Sequence, residues 1–185
     1  LLSQLWKKIS SNTLTKRPEG ISLLEFYDIL ELKYTKDTKN TKDIRDTKDI
    51  RDSKLQREVA ELMKDWAPRD HHKKIINRIK ELNAPSLTTN FEKTLAKTSK
   101  YRLFKLEQKG FGQIYPWTTF YGENKLESPT DGFGIWHING MIEYHRSIRL
   151  GLSHYMGSVE KARRLLHKGK EKALFSGKNT HNWNG

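Results

Sequence analysis

Three short stretches of the 185-residue chain carry side chains whose types and spacing could do chemistry. Thr88-Thr89-Asn90-Phe91-Glu92 reads as a strand end turning into a helix. An Asn there can present its amide to a ligand hydroxyl or a water, beside the helix's first N–H groups. The competing reading is structural: Thr89 or Asn90 caps that helix. Trp136-His137-Ile138-Asn139-Gly140 also ends a strand at a turn. The proton affinity of His suits general-base work near neutral pH, and the competing reading is a packed, hydrogen-bonded histidine beside Trp136. Ser147-Ile148-Arg149-Leu150-Gly151-Leu152-Ser153-His154-Tyr155 leads into the last helix, with Ser153 a natural N-cap and His154 and Tyr155 in the first turn. His71-His72 is a poor metal site, because adjacent residues on a helix point to different faces; the pair reads as solvent-facing.

These stretches need elements to hold them. Residues 1–33 read as helical, with one apolar cluster at Leu2, Leu5 and Trp6 and a second running from Leu23 to Leu32. Pro18-Glu19-Gly20 separates the two, and Ser22 with Glu25 forms a capping-box start. A six-residue charged repeat follows, Thr41-Lys42-Asp43-Ile44-Arg45-Asp46 and its neighbours, so the insert 35–54 reads as a repeat-expanded surface loop or an extended helix, against a functional charged arm. Helical periodicity resumes at Leu55, Val59, Leu62, Met63 and Trp66, Pro68 ends it, and Asp70 can cap a third helix carrying Ile75, Ile76, Ile79 and Leu82. Beyond residue 83 the pattern changes. Strands are expected at 84–89, 101–106 and 134–138, with a helix over 91–97 and a last helix from Ser153. Alternating strands and helices argue for an α/β sheet with parallel pairs, whose carboxyl-end loops hold the chemistry. The organisation expected is a helical segment over 1–82 and an α/β core over 83–185.

Composition narrows the classes. Hydrophobic residues make up 35% and charged ones 31%, but five Trp, seven Tyr and seven Phe supply the apolar surface a fold needs. No apolar run approaches the roughly 20 residues of a membrane span, and Leu-Leu-Ser-Gln-Leu-Trp is too short for a signal peptide. Zero Cys excludes disulfides and thiolate zinc sites and fits a reducing cytoplasm. A net charge of +13 favours polyanionic partners. With Lys161, Arg163, Arg164, Lys168, Lys170 and Lys172 on the last helix, it supports an alternative function as a nucleic-acid-binding or adaptor protein, against the plainer reading of a Lys-rich surface. The opening Leu and the abrupt end favour the expectation of a piece of a longer protein over that of a remnant whose activity is lost.

Thr-Thr-Asn, then His-x-x-Gly, then Ser-Ile-x-Leu-Gly-x-x-His-Tyr, in that order, resembles the sirtuin-like NAD-binding family, above all its bacterial branch of NAD-consuming antiphage defence proteins. Gly177-Lys178-Asn179-Thr180 extends the likeness, which covers roughly 80–182. The resemblance implies a three-layer, Rossmann-like parallel sheet, incomplete here, and breakage of the nicotinamide–ribose bond with NAD as substrate and no metal. It implies that Asn90 positions the ribose or the attacking water, that His137 accepts a proton, and that Thr88, Thr89, Asn139, Gly140 and Ser147 contact NAD. It also implies a cytoplasmic protein that works as a homo-oligomer or with a sensor domain. Deacylation ranks last, since a Cys-ligated zinc module is impossible within this chain. The departures are specific. No Gly-rich phosphate loop occurs in residues 1–30, Asn139 stands where the family has His before Gly, Glu92 replaces Asp, and His181 stands where Trp is common.

Overall fold

The computed structural model describes residues 19–39, 54–106 and 114–167. The opening cluster at Leu2, Leu5 and Trp6, the charged repeat beyond Lys39, and the stretch containing Lys168, Lys170, Lys172, Gly177–Thr180 and His181 lie outside them. Helix α1 spans Leu23–Lys39. Its start is the expected capping box: Ser22 N–H and Oγ–H donate to Glu25 Oε2 at 2.9 and 2.6 Å, and Glu25 N–H donates back to Ser22 Oγ at 3.3 Å. The helix runs on past residue 33 into the beginning of the charged repeat, which is the extended-helix reading for 35–39.

Helices α2 (Lys54–Met63) and α3 (Asp70–Glu81) follow. Phe26, Tyr27 and Leu30 of α1 pack against Leu55, Val59, Ala60 and Met63 of α2, and Ile148 and Leu150 complete this first core. The helical segment is therefore packed onto residues from the far end of the chain. A buried Gln56 fastens the contact, its amide donating to the carbonyls of Ile148 (3.1 Å) and Arg146 (3.4 Å). Asp70 does not cap α3 as its type suggests; it sits in the first turn, while Arg69 N–H donates to His72 Nδ1 at 2.9 Å. The imidazole thus accepts the N–H at the start of the helix, three residues back.

Strands β1 (Pro85–Thr88), β2 (Arg102–Lys105), β3 (Thr119–Gly122) and β4 (Gly134–His137) make one sheet in the order β1-β4-β3-β2. Only β1 and β4 run parallel; β4–β3 and β3–β2 are antiparallel. The sheet is thus mixed, which corrects the expectation of an all-parallel sheet. The cause is β3, a strand without alternation because all four residues are buried, which turns back between β2 and β4. The short helix α4 (Thr94–Thr98) links β1 to β2. It is shorter than the expected 91–97 helix, because residues 91–93 are spent in a turn.

One face of the sheet carries Tyr121 and Ile135 under Ile76 of α3 and Ala96 of α4. The opposite face stacks Phe120 on Trp136 (centroids 4.8 Å apart) beside Leu106, Phe104 and Leu126, with no helix in that cluster among the described residues. Truncating Phe120 to Ala would cost about 3–5 kcal/mol. Gly134 makes the stack possible: a Cβ there would lie 2.5 Å from the Trp136 ring. A 3-10 turn at His145–Ser147 and helix α5 (Leu152–His167) end the described chain. No described helix is long and apolar enough to cross a membrane.

Candidate functional site

The parallel pairing of β1 and β4 sets Thr88 opposite His137, so two of the three sequence stretches emerge at one end of the sheet. Backbone bonds lace them together: Ile138 N–H donates to the Thr88 carbonyl (3.0 Å) and Ile142 N–H to that of Phe91 (3.1 Å). Thr88 Oγ1 accepts from Asn90 N–H at 3.1 Å, which fixes the turn and leaves Thr89 and Asn90 exposed. Neither caps α4, whose N-cap is Lys93. The N–H of Thr94 is instead taken by Glu92 Oε2 at 2.5 Å, so a carboxylate of the chain itself sits at the helix start.

His137 is 3% exposed. Its Nδ1 lies 2.6 Å from the Asn90 carbonyl oxygen. A carbonyl only accepts, so Nδ1 carries the proton and Nε2 holds the lone pair. Nε2 is buried and makes no hydrogen bond. Burial holds the His137 proton affinity below its ordinary value, while the Asn90 carbonyl and the carboxylates of Glu143 and Glu92 pull it the other way. The Tyr121 ring meets the imidazole edge-on, centroids 5.7 Å apart. His137 is thus both packed and held in the tautomer a general base needs.

The rest of the second stretch serves the backbone. Asn139 accepts from Arg149 N–H through its carbonyl (3.0 Å). Gly140 adopts φ +104°, and a Cβ there would come within 2.2 Å of the Ser147 carbonyl oxygen. Ser147 is buried, its hydroxyl accepting from Met141 N–H (2.9 Å) and donating to the Tyr144 carbonyl (2.6 Å). Ser153 does not cap α5. Asp28 of α1 does so from outside, accepting from the Leu152 and Ser153 N–H groups and the Ser153 hydroxyl. His154 pairs with Glu31 at 3.3 Å, away from the first two stretches.

A cavity of about 460 Å³ opens beside the β1–α4 turn. Trp66, Pro68, Arg69 and His72 form one side, and Glu92 and Thr94 the other. Glu92 therefore lines the cavity while its charge reaches His137. Lys97 braces this corner by donating to the carbonyls of Lys64 (2.8 Å) and Trp66 (2.9 Å). Deeper lie residues that pattern reading missed. Lys93 Nζ sits 2.6 Å from Glu143 Oε1. Burial acts to raise the Glu143 carboxyl, and the Lys93 ammonium and Tyr121 outweigh it, leaving the group below its ordinary range. Burial, then Glu143, pushes the Tyr121 phenol well above its usual value. A single Glu in a loop and a Tyr on an unrecognised strand gave no periodic signal. Among the described residues no three His, Asp or Glu side chains gather as a metal site.

The chain matches no protein-family model, no curated protein and no solved structure.

Proposed function

We propose that this chain is a sirtuin-like module that hydrolyses NAD at the nicotinamide–ribose bond, releasing nicotinamide and ADP-ribose. The observation that carries the proposal is the His137 imidazole, locked by the Asn90 carbonyl so that its basic Nε2 is free of any partner at the carboxyl end of a parallel strand pair. That end is where α/β sheets bind their ligands. Departure of nicotinamide leaves an oxocarbenium-like sugar. Water adds to it, and its proton passes to Nε2 of His137, while the exposed Asn90 amide orients the water or the ribose hydroxyls. Thr88 and Gly140 fix the turns after the two strands, and Ser147 braces the second of them by its bonds to Met141 and Tyr144; in this reading Thr89 and Asn139 lie beside the NAD on those turns.

His137 is sealed in the state described, so substrate reaches Nε2 only through a local opening that keeps the Asn90 carbonyl on Nδ1. The missing Gly-rich loop makes NAD affinity weak, since backbone cannot otherwise approach the pyrophosphate closely. The resemblance also supplies the setting proposed here, antiphage defence in a bacterial cytoplasm. The test is NAD turnover by the full chain with Asn90→Ala and His137→Ala variants. A drop of about 100-fold or more in either variant supports the assignment; turnover equal to the parent overturns it.

A further inference from the structure

The cavity of about 460 Å³ between the α2–α3 corner and the β1–α4 turn is not used by the hydrolysis described above, and its two walls differ in chemistry. Glu92 and Thr94 make the buried wall, 7% and 3% exposed. Glu92 Oε2 takes the Thr94 N–H, and no ion pair reaches this carboxylate among the described residues. The neighbouring ammonium groups are spent elsewhere, Lys93 on Glu143 and Lys97 on the carbonyls of Lys64 and Trp66. The Thr94 hydroxyl is also buried without a partner, so this wall holds more polarity than the protein satisfies. The other wall is aromatic and basic. Trp66 stands 40% exposed, and Arg69 lies in the open beside it. His72 Nδ1 accepts the Arg69 N–H, so the proton of the neutral ring sits on Nε2, a second donor on that side.

An acceptor on the buried wall, a large flat ring and donors on the exposed wall together describe a dipolar ligand. We propose that this cavity is a nucleotide site selective for a base that carries an exocyclic amine. The base lies against the Trp66 ring, its amine donates to Glu92, and Arg69 and His72 meet the phosphate. The volume lies within the range of small-molecule sites, and a net charge of +13 draws anions to the surface. A simple alkylammonium satisfies Glu92 but is repelled by Arg69. Uracil sets carbonyl oxygens at the edge where adenine has its amine, and a carboxylate repels those.

The site does not rest on NAD hydrolysis: AMP has no nicotinamide to lose, so its binding and NAD turnover stand or fall separately. The experiment is calorimetric titration of the full chain with AMP and with UMP, with thermal melts to show that each variant folds. The parent should bind AMP about tenfold or more tighter than UMP, and Glu92→Gln, whose amide can also donate, should close most of that gap. Trp66→Ala and Arg69→Ala should each weaken AMP by about tenfold while the preference over UMP persists. No binding of millimolar AMP, equal binding of the two nucleotides by the parent, or an unchanged gap in Glu92→Gln overturns the site. If Glu92→Gln fails to fold, the exposed wall decides: loss in both Trp66→Ala and Arg69→Ala supports the site, and AMP binding kept by either overturns it. Binding of an oligoadenylate without AMP assigns the contact to the basic surface and overturns it too.

Discussion

The Asn90 carbonyl, not its side chain, grips His137: the oxygen lies 2.6 Å from Nδ1, and the amide side chain stays exposed. The two contributions of this residue are therefore separable. Asn90→Ala should keep the parent stability within about 0.5 kcal/mol and leave the proton of His137 on Nδ1, as read by imidazole NMR. Loss of that tautomer in the variant would show that the side chain, not the backbone, orients the ring.

Stability should depend on pH through His137. Burial holds its folded proton affinity below the unfolded value of 6.5, so the unfolded chain binds the proton first as pH falls. The contribution is complete above pH 6.5 and is lost as pH drops through the lower folded value. His145, lowered by burial and by Arg57 and Arg146, acts in the same sense. Denaturation of the parent and of His137→Gln between pH 7.5 and 5 isolates the first group, and the variant should show the shallower loss. Identical slopes would remove His137 from the account.

Gly140 holds the turn after β4 at φ +104° with the Ser147 carbonyl against its α-carbon. Gly140→Ala should cost roughly 2–5 kcal/mol from backbone strain and overpacking together. Urea denaturation measures it, and a loss below about 1 kcal/mol would mean that the turn rebuilds freely.

Asp28 reaches across from α1 to cap α5 with one carboxylate. Asp28→Ala should cost about 1–2 kcal/mol and loosen the first turn of α5, seen as faster amide exchange at Leu152 and Ser153. Asp28→Asn, which keeps an acceptor, should retain much of the difference. Unaltered exchange in the Ala variant would place the cap elsewhere.

Polyanion binding is testable on the same helix. Arg163 and Arg164 both bond Glu160, at 2.7 and 2.8 Å, so one carboxylate ties down both guanidiniums and offsets one of their two charges. The neighbouring Arg pair holds that carboxyl down at about 2. Fluorescence anisotropy with duplex DNA should give a shallow salt dependence for the parent. Freeing both guanidiniums by Glu160→Gln should steepen the logarithmic slope by about one to two. Equal slopes would exclude a role for these arginines in phosphate contact.

Much of the scaffold was legible from local pattern. Ser22 and Glu25 announced the start of α1, and short apolar runs beside Gly and Pro marked β1, β2 and β4 within a residue or two. Strand β3 was not legible. Thr119, Phe120, Tyr121 and Gly122 are all buried, so they lack the alternation that reveals a half-exposed strand, and without β3 the antiparallel half of the sheet could not be foreseen. At the site, the proximity of Asn90 and His137 followed from placing both stretches at strand ends. Which Asn90 atom touches the ring depends on one peptide orientation, and no residue spacing encodes that. Asp28, Gln56, Lys93 and Glu143 went unnoticed for a related reason. Each partners a residue distant in sequence, and a single polar side chain carries no period.

Lys97 stitches α4 to the carbonyls of Lys64 and Trp66, adding a polar clasp to the Ile76–Ala96 packing that already joins the two flanks of the cavity. Widening the space between them would strip an ammonium from both of its acceptors at once. Glu92 lines the same cavity two residues before the helix that carries Lys97, so the clasp and the carboxylate sit on one short segment. The helical half of the chain thus has mechanical leverage over a carboxylate whose charge His137 feels.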